Sequence, residues 1–225
     1  MVVEAGADFV EVGVPFSDPL ADGPVIQRSS QVALDQGMTV VGVLDLVRDA
    51  QLPIPVIVFS YLNPILAYGL GRFVRDARAA GVSGVLLTDL PAGEDPDIEA
   101  AVHAGDLDLI RLIAPTTDGP RLHAAAHGAG GFLYVISRLG VTGAATHLDH
   151  AEQLVLRVRA ATELPIAVGF GLATGEQART IARVADGVVV GSALVERLGE
   201  GLGPARALLT ELRAAVQGPF DRPKP

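Results

Sequence analysis

No cysteine occurs in the 225 residues, which removes disulfides, thiolate nucleophiles and cysteine-bound metal and fits a reducing, cytoplasmic setting. Aromatic residues make up only 4% of the chain, so the core must be built largely from smaller side chains. Positive charge is scarce: 17 Lys and Arg against 26 Asp and Glu leave a net charge of −9. That balance speaks against a nucleic-acid partner, whose phosphates are met by basic surfaces. The longest uncharged run, residues 50–71, is interrupted by Pro53, Pro55 and Pro64 and carries Gln51, Ser60 and Asn63. It reads as a buried strand and its loop, not a membrane span, and no membrane partner is expected. The amino terminus has no basic segment and reaches Asp8 before any long apolar stretch, so it is not a signal peptide.

What the chain does contain is core material, with 49% apolar and 19% charged residues, which excludes a disordered or fibrous protein. Short β-branched runs at 8–12, 56–61, 84–88, 108–113, 132–137, 166–170 and 187–190 are mostly continuously apolar, as strands covered on both faces should be. They predict a parallel sheet. Helical spacing follows at 40–50, 71–80, 97–104, 120–127, 148–160, 175–185 and 204–217, with a capping box from Thr174 and Gln177 and with Gly81 and Gly105 placed for left-handed helix ends. No linker divides the chain, so residues 1–225 are expected to form one (β/α)8 TIM-barrel domain; a flavodoxin-like open sheet is the alternative. Only seven strands are legible where closure needs eight. Residues 1–6 resemble the tail of a helix, so the expected barrel lacks its first strand and most of its first helix and is incomplete at the N-terminus.

Glu11 is the residue most in need of an explanation. It interrupts an apolar strand, where a carboxylate loses solvation unless it faces a polar cavity or finds partners. Strand alternation puts Phe9, Glu11 and Gly13 on one face, the glycine leaving room at the strand's C-terminal end, where barrel enzymes keep their active sites. Burial would raise the Glu11 pKa and suit it to proton transfer, while Asp22, in a loop, could stay ionised and hold a cationic or N–H group. The plainer reading makes Glu11 an outward residue and Asp18 and Asp22 turn formers beside Pro19 and Gly23. A second signal is glycine at successive late strand ends: Gly140 and Gly143, Gly169 and Gly171, then Gly191 with Ser192. Backbone amides there could hold a phosphate without net positive charge. His103, His123, His127, His147 and His150 have no ligand spacing, so no metal site is expected.

Residues 11–24, EVGVPFSDPLADGP, with Gln27 beyond them, closely resemble the signature of the tryptophan synthase alpha subunit family. Tyr61-Leu62-Asn63-Pro64, Thr88-Asp89-Leu90-Pro91, Ala114-Pro115, Ser137-Arg138, Gly140-Val141-Thr142-Gly143, Gly169-Phe170-Gly171 and Gly191-Ser192 follow in the family's order. The resemblance implies a retro-aldol lyase that cleaves indole-3-glycerol phosphate to indole and glyceraldehyde 3-phosphate. It makes Glu11 the general acid/base and Asp22 the partner of the indole N–H. Tyr61, Tyr134 and Phe170 would line the cavity, although a plain core role fits each of them as well. Thr142 would close a mobile loop over the ligand, and Gly143, Gly171, Gly191 and Ser192 would cradle the phosphate. Pro15, Asp18 and Asn63 would face a beta subunit in an alpha2beta2 complex. The resemblance implies no cofactor in this chain; pyridoxal phosphate would belong to the partner. Family members start well before the position of Glu11, which only ten residues precede here. A catalytically weak barrel that binds and activates the beta subunit therefore stands beside the lyase reading.

Overall fold

The computed structural model describes residues 1–136, 144–169 and 171–217, with the backbone alone over 144–150. These residues form two compact units, one of Asp8–Arg111 with Gly128–Gly131, the other of Met1–Ala7, Leu112–His127 and Phe132–Pro225.

The first unit runs β1 (Val10–Gly13), α1 (Pro24–Asp35), α2 (Val40–Ala50), β2 (Val56–Ser60), α3 (Leu62–Tyr68), α4 (Leu70–Ala79), β3 (Gly84–Leu87), α5 (Pro96–Ala104) and β4 (Asp108–Ile113), whose last two residues count with the second unit. The second continues with α6 (Gly119–His127), β5 (Leu133–Ile136), α7 (Ala144–Arg159), β6 (Ile166–Gly169), α8 (Gly175–Ala182), β7 (Gly187–Val188), α9 (Ser192–Glu200) and α10 (Leu202–Val216). β1 pairs with β2, β2 with β3, and β3 with β4, all parallel; β5–β6 and β6–β7 are parallel as well. This is the consequence of continuous apolar strands joined by helical crossovers.

In the first unit Val10 and Val12 pack on a core made with Val56, Val58, Val85 and Leu109 and with Val43, Phe73, Ala77 and Val102 from the helices. Side chains alternate along a strand, so Glu11 turns to the opposite sheet face, beside Ile57 in the β1–β2 register. Close packing dictates the glycine on β3: a Cβ at Gly84 would lie 2.8 Å from the Asp108 carbonyl oxygen and 3.2 Å from Ile57 Cδ1. In the second unit Ala178, Leu208 and Leu212 form a smaller cluster with Val188 and Leu194, and Glu4 pairs with Arg206.

The predicted strands are each found: β4 has the predicted bounds, β1 is shifted to end at Gly13, the others are trimmed by one or two residues, and α2 spans the predicted 40–50. The capping box at Thr174 and Gln177 is present. Residues 1–6 form no helix, only a turn with an Ala5 N–H to Met1 O bond and Gly6 at φ +87°. Three helices, α1, α3 and α9, lie outside the predicted set. α1 buries none of its residues; it is marked by Pro24 at its start and Gly37, at φ +78°, past its end. There the Gly37 and Met38 amides return to Leu34 and Ala33 in a Schellman arrangement.

Gly81 has the expected left-handed backbone at φ +89°, but Gly105 does not. Its φ is −86°, and the left-handed residue is Asp106 at +57°. Gly105 is needed for contact instead, since a Cβ there would sit 1.8 Å from Val74 Cγ1 on α4. Gly105→Ala is accordingly expected to cost about 1–3 kcal/mol through overpacking, read from denaturant unfolding. A change below about 0.5 kcal/mol would show that α4 and α5 yield freely there.

Candidate active site

Glu11 is only partly exposed as a residue, yet its Oε1 is buried and has no hydrogen-bond partner among the described residues. Burial pushes its carboxyl from 4.5 up to about 7, because the charged form loses its hydration there. Beyond it Gly13 leaves open space, with nothing within 4 Å of where a Cβ would be. The outward reading of Glu11 fails on this geometry.

Asp22 has a different environment in the same unit. It lies half-buried in the loop between β1 and α1, and the Tyr61 hydroxyl donates to its Oδ2 at 3.1 Å. That hydroxyl also accepts the Ala21 N–H at 2.8 Å, while Gln27 Nε2 donates to the Asp22 carbonyl at 2.9 Å. Burial raises the Asp22 carboxyl and the bond from Tyr61 pulls it back. Tyr61 is itself buried, its ring 5.3 Å from that of Phe16. Its phenol is pushed up to about 12, first by burial and then by the negative charges of Asp22 and Asp89, against the Ala21 amide, which lowers it. It therefore works as a neutral donor and acceptor.

Tyr61 thus does more than line a cavity: it ties the Asp22 loop to the end of β2. Nothing local in the sequence signals this, because the two bonds span 39 and 40 residues. Asp18 is exposed and accepts from Ser17 Oγ at 2.6 Å, Asn63 is exposed in the first turn of α3, and Pro15 is half-buried.

Within the second unit Tyr134 is buried on β5. Gly169 leaves it room, since a Cβ there would fall 2.0 Å from the Tyr134 hydroxyl oxygen. The Gly169 signal is thus a packing requirement. Gly171 is exposed at φ +86°. Gly191 and Ser192 begin α9, which has no side-chain cap, so its leading amides have no helical acceptor. Thr142, Gly143 and Phe170 lie outside the described residues. Among the described residues no group of three or more His, Asp or Glu side chains could hold a metal, and no helix is long and apolar enough to cross a membrane.

A family model described as tryptophan synthase alpha chain matches residues 1–222. The tryptophan synthase alpha chain of Acidiphilium cryptum is 46% identical over 95% of this chain and 83% of its own length. That of Citrifermentans bemidjiense is 50% identical over 85% of this chain and 73% of its own. Among solved structures, a Mycobacterium tuberculosis tryptophan synthase chain has a TM-score of 0.91 at 43% identity, covering 97% of this chain and 84% of that one. The alpha subunit from Legionella pneumophila has a TM-score of 0.87 at 37% identity, covering 96% and 84%.

Likeness of this closeness, in sequence and in fold, defines a TIM-barrel lyase of amino-acid biosynthesis. The chain belongs to the tryptophan synthase alpha chain family. Its role is the alpha half-reaction of tryptophan synthesis, cleavage of indole-3-glycerol phosphate to indole and glyceraldehyde 3-phosphate; the weak-activator reading is not favoured. Membership implies a beta subunit as partner, and pyridoxal phosphate in that family sits in the beta chain.

The raised Glu11 carboxyl also makes stability depend on pH. Its folded value, about 7, lies above the unfolded 4.5, so its contribution is intact below pH 4.5 and is lost as pH rises through 7, by up to about 3 kcal/mol. Glu11→Gln should unfold at higher denaturant than the parent protein at pH 8, the two converging near pH 4. Curves that stay parallel across that window would show Glu11 to be solvated.

Proposed function

We propose that Glu11 is the general acid/base and Asp22 the fixed anion of a retro-aldol carbon–carbon lyase acting on indole-3-glycerol phosphate. In the reaction Glu11 delivers a proton to indole C3 and assists loss of the proton from the hydroxyl on the carbon bound to C3. The bond between these carbons breaks, its electrons return to the ring, and an aldehyde forms on the glycerol side. A carboxyl titrating near neutrality can serve both transfers. Asp22 accepts the indole N–H, whose acidity rises as the ring becomes cationic, so its negative charge counts most in the transition state. The observation that carries the reading is the buried, unpartnered Glu11 Oε1 on the strand immediately before the loop that bears Asp22.

Gly171, Gly191 and Ser192, with Gly143, take the phosphate through main-chain amides and the Ser192 hydroxyl. Their support is the uncapped start of α9 and the preference of anions for helix N-termini. Thr142 closes the loop over substrate, and Tyr134 and Phe170 line the indole or phosphate end of the cavity. Pro15, Asp18 and Asn63 meet the beta subunit in an alpha2beta2 assembly, to which indole passes. The chain acts in the cytoplasm as one barrel domain over residues 1–225, a reading supported by a family match that runs through both compact units, and needs no cofactor of its own.

Indole release from indole-3-glycerol phosphate, measured with and without a beta subunit, tests the assignment. Glu11→Gln is expected to lower kcat by about 10²–10⁴-fold, and Asp22→Asn by about 10²–10³-fold. Ordinary turnover in the first variant, or a parent chain that only stimulates the beta subunit, would overturn it.

A further inference from the structure

The Tyr61 hydroxyl can hold the Ala21 and Asp22 corner only if Tyr61 itself is fixed. It stands directly before α3, as that helix's N-cap, but its side chain caps nothing there. The leading amide of α3, that of Leu62, donates instead to Asp89 Oδ1 at 2.7 Å, from a residue 27 positions further on. Asp89 is exposed, on the loop after β3, and that loop is fastened from below. The Thr88 N–H donates to the Ser60 carbonyl at 3.0 Å. The Leu90 carbonyl accepts from Arg111 Nη1 at 3.2 Å, and the Gly93 N–H donates to Glu99 Oε1 at 2.7 Å. Arg111, 3% exposed, pairs with the same Glu99. A buried guanidinium therefore sets the loop, the loop presents Asp89, and Asp89 sets the start of α3.

We propose that Asp89 is a positioning residue for Asp22, acting through the Leu62 amide and the Tyr61 hydroxyl by virtue of its acceptor oxygen. This rests on the assignment of Asp22 above. Each link is a single hydrogen bond to backbone or to a buried ring, joined through the Tyr61–Leu62 peptide, so a shift at Asp89 is passed toward Asp22. Displacement of a catalytic group by about 1 Å is enough to cost up to about 10²-fold in rate. An amide oxygen can take the Leu62 N–H as well as a carboxylate can, so the charge of Asp89 is dispensable and its acceptor is not.

The experiment is a cycle of variants assayed for indole release from indole-3-glycerol phosphate, with kcat and KM determined separately. Asp89→Ala should lower kcat about 10-fold and leave KM within about two-fold, and Asp89→Asn should recover most of the loss. Tyr61→Phe should lose activity likewise, and adding Asp89→Ala to it should change kcat by less than about two-fold, since both break one pathway. The acid limb of kcat/KM should move to higher pH in Tyr61→Phe and Asp89→Ala alike, because both withdraw the phenol that holds the Asp22 carboxyl down. Leu62→Pro gives the same information if Asp89→Ala folds poorly. Proline is favoured at this first helical position and the extended backbone of Tyr61 suits a following proline, so the donor is deleted without opposing the helix start, and Leu62→Ala serves as the control for the side chain that packs on the core.

Unimpaired Asp89→Ala, Asp89→Asn as damaged as Asp89→Ala, or multiplying losses in the double variant would each overturn the positioning role. A parent protein unable to cleave indole-3-glycerol phosphate would instead sink the functional reading on which it stands.

Discussion

Keeping one carboxyl dry is the constraint around which the first unit is arranged. Glu11 gives up hydration at Oε1 and gains no hydrogen bond for it among the described residues, so its charged form is disfavoured until about neutral pH. That loss is sustained by aliphatic burial on the other sheet face, where Val10 and Val12 lock β1 against the core. Alternation along the strand then leaves Glu11 nowhere else to point. A carboxyl that titrates near neutrality results from a cost in folding free energy that a pure stability optimum would remove by substitution.

The second carboxylate is handled in the opposite way. Asp22 sits on a loop, where position would otherwise be soft. It is held by a buried phenol that also fixes the neighbouring amide of Ala21. The two acids therefore differ in what limits them. Glu11 is limited by desolvation on a rigid strand, whereas Asp22 is limited by the geometry of bonds reaching it from Tyr61, between β2 and α3, and from Gln27 on α1. Two titratable groups with environments that separate their behaviour form the pattern by which acid and base roles are divided within one site.

Glycine illustrates how one residue type answers several demands. At Gly37 and Gly81 it supplies a left-handed backbone. At Gly84, Gly105 and Gly169 it supplies space, for the β4 backbone, for Val74 and for the Tyr134 hydroxyl. Only the atoms around each glycine distinguish these uses. A sequence reader can expect a helix-ending glycine at Gly105 and be right about the boundary while misreading why the side chain is missing.

The sequence alone determined the parallel βα order, the boundaries of α2, the capping box at Thr174 and the identity of Glu11 as an anomaly in an apolar strand. All of these are written in local periodicity, local hydrogen bonding or composition. The motif at residues 11–24 gave the family as well. Tertiary structure alone decided that Glu11 Oε1 has no partner, that Tyr61 reaches Ala21 and Asp22, that Asp89 caps α3, and that α1 is a helix despite burying nothing. The physical reason is range. Burial and the bonds between loops depend on atoms brought together from distant positions in the chain, and no window of neighbouring residues records which side chains will meet.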